Sequence, residues 1–158
     1  MKVKVNISDA KVSSDPADVI VTHGLGSCIG VCLYDPLAQI GGMLHYQLPN
    51  SQADPERAKQ NPFRYADTGM EVLARKLASM GARINCMQVK VAGSAVMSTG
   101  PKGFDIGKRN YVAIKKILWK RGMAIDSEDV GGSQPRHMYL NIADGTVTVK
   151  SNGLKETL

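Results

Sequence analysis

Two stretches of the chain repeat apolar residues at a helical period. The first opens near Asp67-Thr68, where Thr68 and Glu71 have capping-box spacing, sets Met70, Leu73, Leu77 and Met80 on one face, and stops at Gly81. The second covers 107–121, with Tyr111, Ile114, Ile117 and Leu118 apolar, Lys115, Lys116 and Lys120 opposite them, and Gly122 at its end. Elsewhere short runs rich in apolar and β-branched residues predict strands over 17–22, 27–34, 41–48, 86–91, 124–130, 136–142 and 146–150. Asp144-Gly145 is a hairpin signal between the last two, and Gly131-Gly132 separates the pair before it. The stretch 48–67 carries three prolines and no sustained period, so it reads as a long loop with one helical turn at 55–59. Seven strands and two or three helices imply an α+β layered sandwich. So few helices cannot cover both faces of a parallel sheet, which argues against a doubly wound fold.

Composition sets the bounds. A chain of 158 residues, 43% apolar and 22% charged, has ordinary globular usage, and we expect one domain over 1–158. No run approaches the roughly 20 apolar residues of a membrane span, and the N-terminus lacks an apolar export block, so no membrane insertion and a cytoplasmic location are expected. Cys28, Cys32 and Cys86 form an odd set, better read as reduced thiols than as a disulfide framework. The net charge of +6 raises the question of nucleic acid, but aromatics are only 5% and the basic pairs are scattered. We read the excess as attraction to an acidic protein surface and expect no nucleic-acid partner.

The densest chemistry lies in 21–48. Gly24 and Gly26 precede Ser27-Cys28 and Gly30 follows, allowing a tight turn that presents Cys28 at the start of a strand. His45 lies 17 residues on, in a second strand that can pair with the first and bring imidazole to thiol. Such a histidine can draw the proton from a thiol and return it to a departing amine. A third group should hold the ring through its other nitrogen. The hydroxyl of Thr22, six residues before Cys28, can serve. Backbone amides of the glycine turn, at Gly26 and Cys28, are oxyanion candidates, with Ser27 as a positioning residue. The residues alone leave open that Cys28 is simply a buried structural thiol. Metal binding by Cys28 and Cys32 fails on spacing, because four residues of strand span about 13 Å. His23 should face away from Thr22, His137 reads as surface or cross-strand packing, and Asn110 reads as a helix cap with Arg109 tying the helix to the sheet. We take 54–59 as a solvated loop.

Several blocks carry a resemblance. Leu25-Gly26-Ser27-Cys28, Val31-Cys32-Leu33-Tyr34-Asp35 and Gly41-Gly42-Met43-Leu44-His45 resemble the CheD family of chemoreceptor glutamine deamidases. Arg64-Tyr65-Ala66-Asp67, Ile106-Gly107-Lys108-Arg109-Asn110, Asp129-Val130-Gly131-Gly132 with Arg136, and Gly145-Thr146-Val147-Thr148-Val149-Lys150 follow in the family order. The resemblance implies Cys28, His45 and Thr22 as the catalytic set, with no cofactor and no metal. It implies a three-layer α/β/β sandwich with mixed sheets, similar to deamidating bacterial toxin domains. The implied reaction is hydrolysis of glutamine side chains in chemoreceptor cytoplasmic domains through a thioester, with a CheC-type phosphatase as regulatory partner. One departure is Gly93-Ser94-Ala95, where a Gly-Gly-Ala run is expected. The alternative is a non-catalytic chemotaxis adaptor that keeps the fold, although an adaptor has no reason to keep all three of Thr22, Cys28 and His45.

Overall fold

The continuous apolar runs at β4 (Ile29–Asp35) and β5 (Ile40–Tyr46) are buried along their whole length, the pattern of strands covered on both faces. They form the centre of the middle layer. The computed structural model describes residues 1–96 and 105–158. Around this pair, β2 (Asp9–Ser13), β6 (Gln88–Gly93) and β7 (Ser127–Val130) complete a mixed five-stranded sheet in the order β2-β5-β4-β6-β7. A second mixed sheet of five, in the order β1-β3-β8-β9-β10, comprises β1 (Lys2–Val5), β3 (Val19–Leu25), β8 (Arg136–Asn141), β9 (Val147–Ser151) and β10 (Leu154–Thr157).

Alternation along the central strands splits their side chains between two cores. Ile29, Val31, Leu33, Leu44 and Tyr46 face α2 (Ala66–Ser79) and α3 (Ile106–Lys120), meeting Met70, Leu73, Leu77, Ile114 and Leu118. Cys32, Tyr34 and Met43 face the second sheet and pack on Ile20, Met138, Leu140, Val147 and Val149. Helices, middle sheet and outer sheet therefore stack as α/β/β, the architecture expected. Among the described residues no helix is long and apolar enough to cross a membrane.

All seven expected strands occur within a few residues of their expected bounds. The additional strands β1, β2 and β10 lie near the chain ends, where few apolar positions mark them. The helical turn at 55–59 is α1 (Pro55–Gln60), capped by Asp54 accepting from the Arg57 amide at 3.1 Å. The capping box is not formed. Thr68 lies inside α2, its hydroxyl donating to the Pro62 carbonyl at 2.6 Å, and the helix begins two residues earlier without a side-chain cap. Chain carbonyls replace it, since the Ala66 amide donates to Leu48 and that of Gly69 to Tyr65. Asp35 closes the β4–β5 turn, accepting from the Leu37 and Ala38 amides and from the Arg83 guanidinium. That guanidinium holds the buried carboxyl well below the usual carboxylate range.

Candidate functional site

The first strand of the site is β3, which delivers Thr22 to the space between the sheets. Its hydroxyl donates to the Val5 carbonyl at 2.8 Å and lies 2.8 Å from His45 Nδ1. A hydroxyl has one hydrogen, here given to Val5, so its oxygen accepts from Nδ1–H. The imidazole is thereby fixed as the Nδ1–H tautomer, with the lone pair on Nε2. Nε2 is buried and bonds to no protein group.

His45 stands on β5 opposite Gly30 of β4 and Asp9 of β2. Burial lowers its pKa to about 4, against a weaker pull upward from Asp9. The ring is neutral at pH 7.

Past Thr22, β3 loses register with β8 before Leu25, Gly24 takes φ +69°, and the chain turns through Gly26, Ser27 and Cys28 into β4. Glycine is required at that left-handed position in so tight a turn. Cys28 stands in the bend just before β4, two residues ahead of Gly30, and packs against the core between the two sheets, the side on which His45 meets Thr22. Its thiol is partly buried, makes no hydrogen bond to Nε2 in this conformation, and is pushed by burial up to about 11, its own backbone amide pulling weakly the other way. The pair rests as neutral thiol and neutral imidazole.

The Cys28 loop is held from two sides. The Ser94 amide donates to the Cys28 carbonyl and the Ala95 amide to Gly26, both at 2.9 Å. Asn110 of α3 donates through Nδ2 to the Ser27 carbonyl at 2.9 Å and to the Gln47 carbonyl at 2.8 Å. Gly26 uses its own N–H on the Gly24 carbonyl at 3.0 Å, so in this conformation it shapes the turn and that donor is occupied. Asn110 corrects the sequence reading: it is no cap but a buried residue on the inner face of α3, and Asp105 caps the helix by accepting from the Lys108 amide at 3.0 Å. The signal for it was a polar residue four before Ile114, in line with the apolar stripe. Ser94, where a glycine was expected, adopts φ +58° and donates through Oγ to the Gly107 carbonyl at 2.6 Å. That bond offsets the roughly 1–2 kcal/mol a left-handed conformation costs a non-glycine residue.

The remaining candidates lie apart from this cluster. Cys32 is buried against Met138, 3.9 Å sulfur to sulfur, and Cys86 is exposed. His23 projects to the outer face of β3, where its Nδ1 lies 3.2 Å from that of His137. The Gly24 amide donates to the same His137 nitrogen at 3.3 Å, which makes His137 the acceptor and His23 the donor.

Comparison with known proteins identifies the family. The family model for CheD chemotactic sensory transduction matches residues 47–151. The probable chemoreceptor glutamine deamidase CheD of Solibacter usitatus is 43% identical over 157 residues, covering 99% of this chain and 93% of that one. The chemoreceptor glutamine deamidase CheD of Thermotoga maritima is 40% identical over 158 residues, covering 100% and 97%. The probable chemoreceptor glutamine deamidase CheD 2 of Anaeromyxobacter dehalogenans is 46% identical over 149 residues, covering 94% of each. The family match spans most of the chain and the relatives nearly all of it: the chain belongs to the CheD family.

Proposed function

We propose that this protein is a chemoreceptor glutamine deamidase with Cys28 as nucleophile, His45 as acid and base, and Thr22 as the group that orients the imidazole. The observation that carries the reading is the bond from His45 Nδ1–H to Thr22, which leaves an unprotonated lone pair on Nε2 on the side of the middle sheet where the thiol packs. Apo sites commonly hold such partners apart until substrate arrives.

With a receptor glutamine bound, Nε2 takes the thiol proton as sulfur attacks the side-chain amide carbon. The tetrahedral oxyanion is met by backbone N–H groups of the loop, that of Cys28 among them. The C–N bond breaks as His45 returns the proton to nitrogen, releasing ammonia and leaving a thioester. Water, losing a proton to Nε2, attacks the thioester. The C–S bond breaks, sulfur recovers the proton, and glutamate is formed. Nothing in the sequence asks for a cofactor or a metal. Family membership supports a cytoplasmic setting and a CheC-type phosphatase as regulatory partner.

The test is incubation with chemoreceptor cytoplasmic fragments followed by mass spectrometry of their peptides. Conversion of specific glutamines to glutamate by wild type, absent with folded Cys28→Ala, is expected. Unmodified receptors after incubation with folded wild type would sink the enzyme reading and leave the non-catalytic adaptor.

A further inference from the structure

A groove of about 820 Å³ runs along one flank of α3. Its floor is Val112, Ala113 and Ile117, and its cationic wall is Lys108, Arg109, Lys116 and Lys120. These positions recur every three to four residues, so the groove follows the whole helix, a length of about 22 Å at 1.5 Å per residue. That is the footprint of about four turns of a partner helix. The opposite wall is the segment holding Pro49, Asn50 and Gln52, which continues directly from Gln47. Asn110 bonds the carbonyls of both Gln47 and Ser27, so the segment that forms this wall and the Cys28 loop are tied to the same helix.

Its charge is one-sided. α3 contains no acidic residue, and Lys108, Lys116 and Lys120 form no ion pair among the described residues. The two carboxylates that line the groove are already engaged. Asp67 accepts from the Ser51 amide and hydroxyl, and Asp105 caps α3. On the floor Val112 is left 43% exposed, an apolar side chain with nothing on it. A concave apolar floor is out of reach of a flat bilayer, and among the described residues no aromatic lines it for a nucleic-acid base to stack on.

We propose that this groove docks an acidic amphipathic helix of the protein substrate, its apolar face on Val112, Ala113 and Ile117 and its carboxylates against Lys108, Lys116 and Lys120. The inference rests on the deamidase reading, and it adds a recognition element on the helix that also tethers the Cys28 loop.

The probe is a fluorescently labelled synthetic helix of about twenty residues, leucine and alanine on one face and glutamate on the other, titrated into Cys28→Ala protein. A second peptide has every glutamate replaced by glutamine. We expect affinity to fall about tenfold or more for the glutamine peptide and for the Lys116→Glu/Lys120→Glu variant, and to weaken steeply with salt. Val112→Ser, a change at an already exposed position, should weaken binding without disturbing the fold, and stands in if the double variant misfolds. Equal affinity for the two peptides, or wild-type binding by these variants, overturns the proposal. So does tighter binding of a DNA duplex or of phosphatidylglycerol vesicles that is lost in the double variant. Peptide binding is read without turnover, so a failed deamidation assay and a failed docking assay are separate results. If deamidation holds, the double variant should also raise KM for a receptor fragment and leave kcat unchanged.

Discussion

His45 sits in an environment that opposes its own charge, and this has a measurable thermodynamic consequence. Its folded-state pKa is about 4 and its unfolded value about 6.5. Above pH 6.5 neither state binds the proton, and His45 makes no difference to stability. As pH falls from 6.5 to 4 the unfolded chain takes up a proton that the folded protein excludes, so folding stability declines, by about 3 kcal/mol in all. Below pH 4 both states are protonated and the loss levels off. Urea denaturation of wild type and His45→Gln across this range should give curves that converge toward low pH, the variant lacking the decline. Parallel curves would show that the ring is not held neutral. Thr22 shares in the effect, because an oxygen already donating to Val5 can accept only from Nδ1–H and leaves Nε2 to titrate in a buried setting.

At the scale of elements, α3 is more than cover for the middle sheet. Asn110 fixes the Ser27 carbonyl of the Cys28 loop and the Gln47 carbonyl that follows β5, and its own carbonyl accepts from the Tyr46 hydroxyl at 2.6 Å. Asn110→Ala removes both side-chain bonds while improving helix propensity. The expected result is a loss of about 1–3 kcal/mol from two partly buried carbonyls left without this partner, with a larger fractional loss of kcat than of KM. Unchanged kcat in the folded variant would show that the tether does not position Cys28. This tether also marks where the sequence stops being informative. β4 and β5 are legible because strands buried on both faces must be continuously apolar, and Cys28 and His45 because glycines and a turn set them on paired strands. Asn110 looked like a cap because it stands near the start of a helix, and only its inward direction in the folded chain reveals its work. Lys2-Val3-Lys4-Val5 carries too short an alternation to separate a strand from a polar tail, and β10 is exposed at every residue. The Thr22–His45 bond joins two different sheets, so no periodicity within either strand announces it.

All three layers meet around the Cys28 loop. β3 brings Thr22 from the outer sheet, β5 brings His45 from the middle one, α3 reaches in through Asn110, and Arg136 of β8 crosses the sheets to donate to the Gly93 carbonyl at 3.0 Å and the Gly131 carbonyl at 2.6 Å. Gly93 is the tightest point in this arrangement. It has φ +119°, and a Cβ there would run into the Cys28 carbonyl oxygen, the acceptor for Ser94. Gly81, at φ +102° after α2, would meet nothing within 4 Å. Comparison of Gly93→Ala with Gly81→Ala therefore separates backbone strain, present in both, from collision with the loop, present in one. Gly81→Ala should cost about 1–2 kcal/mol and leave deamidation intact. Gly93→Ala should cost more and should reduce turnover by displacing Cys28 relative to His45, an effect measurable on the fraction that remains folded. If folded Gly93→Ala protein turns over at the wild-type rate, the loop carries its geometry without the middle sheet, and the site is less dependent on the stacking of the three layers than its hydrogen bonds indicate.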